Sequence, residues 1–394
     1  MENISRRKCV LLVLDTSHGQ MGGTEQNTLH FAQALAGRGY ESILLEVGQA
    51  ILHKSPASLG LTLLNIPTEH FSDIGMSQWR DIIKKTQPIV VMRSKTWIGC
   101  INWRLDLVVS ISKIPYLSWE HHPAALVRKG LSDKALRNPL QLKRYIRNQL
   151  HLKAVRHSVA VSNAVKDPLV QGFSVPESKV DVIYPGVDFD RFSYDDSARK
   201  EIRADWNIPE TAFVIGSIGR LVAHKGNDFT LNIMAALRKQ DQNTDVWCVI
   251  AGKGPDLARL QTLADTLGIS DRVRFPGWQK SASRSFSALD VFLMPSADEG
   301  LGMTLIEAVA CGCLPVGAAI GGMTEILCGP LKRYSLPPAD ICVWVQAISE
   351  LLVLPPPERT DLHQQAYSHL RRRFDAKTQW QLMVDWQETH TVCN

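Results

Sequence analysis

No stretch of the chain reaches 18 strongly apolar residues in a row, which excludes a membrane-spanning helix on sequence grounds. The long uncharged stretch 308–324 is broken by glycines and Pro315, and reads as helix, strand and turn. A secretory leader is not expected either. Basic residues precede an apolar run, but only Cys9–Leu14 separates Lys8 from Asp15, which suits a buried first strand. The 8 cysteines form no CxxC pair and no Cys/His cluster, so neither a disulfide framework nor a zinc site is expected. They read as small buried hydrophobes in a cytoplasmic protein. Low-complexity sequence is confined to Pro355–Pro357, and no internal repeat is visible.

What is present is ordinary globular composition, 45% hydrophobic and 21% charged, in 394 residues, a length that suits two domains. The net charge of +5 is unevenly placed. Residues 1–186 hold 23 Lys and Arg against 14 Asp and Glu, whereas 187–394 hold 21 against 25. The first half is therefore expected to meet something anionic.

Short apolar runs alternate with amphipathic stretches throughout. In the first half they are 9–14, 42–47, 88–92, 115–119, 158–161 and 180–184. In the second they are 213–218, 246–252, 272–275, 290–295 and 314–318. Runs that are apolar on both faces predict parallel sheets covered by helices on both sides. The fold class predicted is α/β, two doubly wound Rossmann-like domains. The boundary is placed near Tyr184–Asp188, giving domains 1–186 and 187–375, with a last helix at about 376–394 that would pack back on the first domain. Ligands of such sheets bind beyond the carboxyl ends of the strands, so the loops there should carry the chemistry, in a cleft between the domains.

Four loops stand out. Ser17–Glu25 (SHGQMGGTE) contains Gly22 and Gly23 and opens a helix, so its backbone can approach an anion; a flexible turn has the same composition. Gly219–Gly226 (GRLVAHKG) holds Arg220 and Lys225, which can converge on one diphosphate, or stand as two solvated cations. Ala251–Pro255 (AGKGP) matches the start of a dinucleotide fingerprint, but Leu257 stands where a third glycine belongs. A tight strand–helix turn at Gly254 is the simpler role, and NAD is disfavoured. Ser296–Gly312 carries Glu299, Gly300, Gly302, Met303, Thr304 and Glu307 around a helix start. Backbone N–H groups there suit a phosphate and the carboxylates suit hydroxyls; acidic residues also favour first turns without any ligand. Gly321 and Gly322 follow the next strand and are expected to add backbone donors. His121 and His122 follow the strand at 115–119, and His224 reads as solvent-facing.

Taken in order, GGTE (22–25), VSNAV (161–165), YPGVD (184–188), GRLVAHKG (219–226), AGKGP (251–255), VRFPGW (273–278) and the Glu299/Glu307 pair resemble the family-4 glycosyltransferases of the GT-B fold. That resemblance implies a retaining, metal-independent transfer of a hexose from a nucleotide-sugar donor (UDP-, GDP- or ADP-linked), with no cofactor. It implies that Arg220 and Lys225 grip the diphosphate, Glu299 the sugar hydroxyls and Glu307 the ribose. Gly219, Gly254, Gly300 and Gly302–Thr304 would line the donor site. Trp278 would lie by the base, Gly22 and Gly23 would approach the phosphate, and His121 would lie near the reacting sugar. Leu301, where the family often has an aromatic, and Met323-Thr324 depart from the pattern.

The acceptor side falls to the first domain. Residues 128–156 hold nine Lys and Arg and one acid, Asp133, with Leu140, Leu142, Tyr145, Ile146 and Leu150 interleaved. This predicts a basic amphipathic surface on anionic lipid and a lipid-linked, polysaccharide or small-molecule acceptor, in a cytoplasmic protein peripheral to the membrane; a solvated basic helix has the same pattern. Nucleic acid is not expected, since aromatic interleaving is slight and no recognised module is present. The rival readings are another GT-B enzyme (a sugar-nucleotide epimerase or a phosphorylase) and a non-catalytic sugar-nucleotide binder.

Overall fold

The computed structural model describes residues 8–16, 22–52, 61–69, 71–95, 102–122, 142, 146, 150–240 and 245–391. Two compact units divide the chain, Met1–Pro185 with Lys377–Asn394, and Gly186–Ala376.

The first unit is built on a sheet of seven parallel strands: β1 (Cys9–Thr16), β2 (Glu41–Gly48), β3 (Thr62–Ile66), β4 (Val90–Lys95), β5 (Tyr116–Glu120), β6 (His157–Ala160) and β7 (Val180–Val182). Their order is β3-β2-β1-β4-β5-β6-β7. β1 lies between β2 and β4, with Leu12 opposite both Leu44 and Met92. Helices cover both faces of a parallel sheet, which is why Val10–Leu14 is buried residue after residue instead of at alternate positions.

The second sheet holds β8 (Phe213–Ile218), β9 (Val246–Ala251), β10 (Val273–Arg274), β11 (Val291–Met294), β12 (Leu314–Ala318) and β13 (Ser335–Leu336). Its order, β10-β9-β8-β11-β12-β13, reverses direction between β8 and β11. At such a switch point neighbouring loops leave towards opposite faces and open a crevice at the strand ends. Behind the sheet, the buried Arg203 donates to the carbonyls of Ala288, Glu210 and Ala212 and to Asp290, which also binds Arg199 and the Val214 N–H. One guanidinium thus ties the amino ends of β8 and β11.

Two strands escaped the sequence reading. β3 is a half-buried edge strand that lacks a saturated apolar run, and β13 is two residues long, paired only at Gly317–Ser335 and Ala318–Leu336. Where the chain passes between units, Val187 donates to Phe374 and Ala376 to Val187, and a side chain at Gly186 would fall on the Ala376 backbone. The final helix, Ala376–Thr391, belongs to the first unit from Lys377 onward: Trp380 packs edge-on against Trp119, and Tyr40 donates to Glu388.

Gly252 supplies a sharp test of this packing. Its φ is +149°, and a Cβ there would collide with the Gly219 carbonyl, whereas Gly268 (φ +66°) has open space around it. Gly252→Ala should cost about 3 kcal/mol or more, or abolish folding of the second unit, while Gly268→Ala should cost about 1–2 kcal/mol from backbone strain alone. Urea unfolding of the two variants checks the ordering.

Candidate functional site

β8 and β11 are direct neighbours, with Ile215 opposite Val291 and Gly216 opposite Phe292, so their following loops emerge side by side. The β8 loop carries Lys225 on a short 3-10 turn, Ala223–Lys225, and the β11 loop carries Glu299. Lys225 Nζ lies 2.6 Å from Glu299 Oε1. Both side chains are largely covered, so this pair is screened less than a surface ion pair. Arg220 is exposed on the same loop. His224, also exposed, has its pKa lowered first by burial and then by Lys225; Glu299, Arg220 and Asp298 act on it as well. One imidazole therefore senses both cations and both acids of the two loops.

This closeness requires backbone contact without side chains. Gly226 has φ +69°, and a Cβ on it would strike the Pro295 carbonyl at the end of β11. The Ala297 N–H donates to the His224 carbonyl at 2.7 Å and locks the second loop to the first. On the other flank, Gly254 closes on the Leu221 carbonyl while Leu221 donates to Lys253 at 2.9 Å. Gly219 donates to Ala251 at 2.9 Å. Gly219 and Gly254 thus shape the Arg220 loop from below. Gly252 donates to Gly277, which sets the loop of Trp278 alongside, with its indole 60% exposed.

Beyond Glu299, Gly300 and Leu301 are buried under Gly322, whose N–H approaches the Glu299 carbonyl at 3.4 Å. So Gly322 buttresses the loop, and Leu301, which departs from the resembled pattern, is buried. Gly302, at φ +97°, then turns the chain into the helix Met303–Ala310 with no side-chain cap. The first-turn N–H groups, those of Met303 and Thr304 among them, are left for an anion or water. Glu307 lies further along this helix. It is only partly exposed, and burial pushes its carboxyl up to about 7, with Arg191 pulling the other way. The charge acting on Glu307 is thus Arg191, while Lys225 is held by Glu299.

In the first unit, His121 is buried just past β5, tilted against Trp119 at 4.5 Å, with its Nε2 2.9 Å from Ser94 Oγ. Burial first, then His122, lowers its pKa to about 3, so the ring is neutral. Thr28 Oγ1 lies 3.0 Å from Ser94 Oγ and 2.8 Å from the Thr24 carbonyl, which links His121 to the first turn of the helix Gly23–Gly37. Ser94 and Thr28 were not singled out from sequence, since neither sits in a motif. The Gly22 N–H donates to Glu25 Oε2 at 2.7 Å, so this glycine caps the helix, and Gly23 is exposed at its first position. Residues 17–21 of that loop lie outside the described residues.

Comparison with known proteins follows the same division. The family model "Glycosyl transferases group 1" matches residues 198–369 and "Glycosyltransferase Family 4" matches 21–191. A D-inositol 3-phosphate glycosyltransferase of Corynebacterium jeikeium is 30% identical over 304 residues, 75% of this chain and 70% of that protein. The enzyme of that name from Mycolicibacterium smegmatis is 29% identical over 304 residues, and the match spans 65% of its length. The fold matches the crystal structure of Anabaena Alr3699/HepE in complex with UDP and glucose, with a TM-score of 0.79, 18% identity, and 96% of this chain and 99% of that one covered. With both sheets, their switch-point loops and these matches in agreement, the chain belongs to the family-4 glycosyltransferases of the GT-B fold.

Proposed function

We propose that this glycosyltransferase moves a hexose from a nucleotide-sugar donor with retention of configuration and without a metal ion. The observation that carries the reading is the Lys225–Glu299 contact beside an uncapped helix start at a topological switch point. Loss of the sugar leaves charge on the departing diphosphate, and without a metal that charge needs preorganised cations and N–H groups. Lys225 and Arg220 supply the cations, and the backbone at Gly302–Thr304 supplies the donors. Glu299 exchanges Lys225 for sugar hydroxyls as the diphosphate takes up the lysine. Glu307 serves the ribose and Trp278 lies by the base. The UDP and glucose held by the Anabaena structure make a UDP-linked hexose the first donor to test. The inositol phosphate in the relatives' names supports a small phosphorylated acceptor, beside the lipid-linked and polysaccharide classes.

A lipid surface fits the acceptor side. Trp103, Leu107 and Ile111 are exposed one turn apart on the helix Trp103–Ser112, and Leu142, Ile146 and Leu150 are exposed at the same spacing. His151 Nδ1, 2.8 Å from Asp106 Oδ1, fastens the second row to that helix. No helix of the described residues is long and apolar enough to cross a membrane. Within 128–156 only Lys153 and Arg156 of the nine cations lie among the described residues. The reading is therefore of a cytoplasmic enzyme lying on anionic lipid.

Three outcomes follow. Incubation with UDP-, GDP- and ADP-sugars should release one nucleotide preferentially, and Lys225→Ala or Glu299→Ala should cut turnover by about 10²–10³; unchanged rates would overturn the site. Liposome flotation should show binding that needs anionic lipid and falls in Trp103→Ser/Ile111→Ser.

Glu307 gives a signed pH effect. Its folded pKa of about 7 exceeds the ordinary 4.5, so its favourable contribution to stability holds below 4.5 and is lost as pH rises towards 7. Glu307→Gln should therefore melt about 2–5 °C above the wild type at pH 8 and level with it near pH 4.5, while donor KM rises because one of the two acceptor oxygens offered to the ribose becomes an N–H donor.

A further inference from the structure

One cluster in the first unit plays no part in the chemistry above. His157 opens β6, and Asp181 lies in β7 opposite Val159. Residues paired in a parallel register point to the same face, and so do residues two apart on one strand. His157 and Asp181 therefore share a face of the sheet. The final helix covers that face and contributes Trp386 and His390, one turn apart. Trp386 Nε1–H donates to Asp181 Oδ2 at 2.8 Å, and His390 Nε2 lies 3.5 Å from the same oxygen. The imidazoles of His157 and His390 are stacked, with centroids 3.8 Å apart and planes 22° from parallel, and the Trp386 ring meets His390 at 5.0 Å.

Hydrogen bonding leaves this group incomplete. His157 Nδ1 is buried and has no hydrogen-bond partner, and the His390–Asp181 separation is too long for a strong bond. Two stacked imidazoles gain little from each other unless a third atom joins them. One ligand atom from each of His157, Asp181 and His390 lies within 4.8 Å of the others, the only such trio among the described residues. In a tetrahedral site with bonds of about 2.0–2.2 Å, ligand atoms stand about 3.3–3.6 Å apart. Converging on one ion requires the two imidazoles to turn out of their stack, and the half-exposed Asp181 side chain to follow.

We propose that His157, Asp181 and His390 form a binding site for a borderline divalent ion of the zinc, cobalt or nickel class, with solvent completing its coordination. The donor set, two imidazoles and one carboxylate, is that of such ions and not of calcium or magnesium. An ordinary imidazole is mostly neutral at pH 7 and above and so able to ligate there. The Trp386 N–H holds the carboxylate through Oδ2, an outer-sphere bond of the kind that tunes a ligand's orientation. The ion would sit near the start of β6, at the opposite end of the strands from His121, which follows the end of β5. Its role is to clamp the returning helix to β6 and β7, not to take part in transfer, and the proposal does not rest on the donor chemistry.

The test uses the full chain without a histidine tag, treated with chelator and dialysed. Titration with Co²⁺ should give one saturable equivalent with visible d–d absorption, displaced by Zn²⁺, and Zn²⁺ should raise the melting temperature. His390→Phe keeps an aromatic ring on His157 and Trp386 while removing the ligand; it should fold as the wild type does and lose both effects. Asp181→Asn should weaken binding in the same direction, and Trp386→Phe by roughly tenfold. Absence of saturable Co²⁺ binding, or binding indifferent to His390→Phe and Asp181→Asn, overturns the site.

Discussion

The second unit depends on one constraint, that the loops after β8 and β11 approach at backbone contact distance. An ammonium and a carboxylate 2.6 Å apart gain modestly in free energy, since both are taken partly out of water. Their value lies in geometry. Gly226 against Pro295, the Ala297 bond to His224 and Gly254 against Leu221 are fixed by the fold before any ligand is considered. The ion pair then inherits its position from the backbone. That is how a site on loops gains the precision of a site on strands, because loops stacked without intervening side chains have few other ways to lie.

Much of this was legible from the sequence, for a definite reason. A strand buried on both faces in a parallel sheet must be apolar at every position, so 213–218 and 314–318 announce themselves and coincide with β8 and β12. Edge strands carry no such obligation, and β3 and β13 left no comparable mark. Loop glycines were equally visible, but their purpose was not. Gly22 and Gly322 read as ligand-facing backbone and Gly254 as a tight strand–helix turn; in the structure Gly22 caps its helix through Glu25, and Gly254 and Gly322 leave room for a neighbouring carbonyl where a side chain would stand. Composition marks where a chain comes close to something, while only coordinates say whether that something is a ligand or the chain itself. The trio His157, Asp181 and His390 was illegible on principle, since ligands drawn from two strands and a helix over 200 residues away have no spacing to read.

Charge illustrates the same limit at a larger scale. Residues 187–394 carry a net negative charge, yet hold the loops best suited to an anion. The field at a site depends on the few groups within a Debye length and on which of them are already neutralised. Lys225 is balanced by Glu299 and Glu307 is partly protonated near neutrality, so part of the acidic charge near the exposed Arg220 and the uncapped helix start is already neutralised. The positive total of residues 1–186 speaks to a different surface, where exposed Trp103, Leu107 and Ile111 stand on the helix tied to the basic segment through Asp106 and His151. At the end of β5 in that same basic unit, His121 is held neutral, because burial costs an isolated imidazolium more than the nearby Glu120 returns. The net charge of a half-chain therefore indicates what its outer surface attracts, and the burial of individual groups decides what its strand ends can bind.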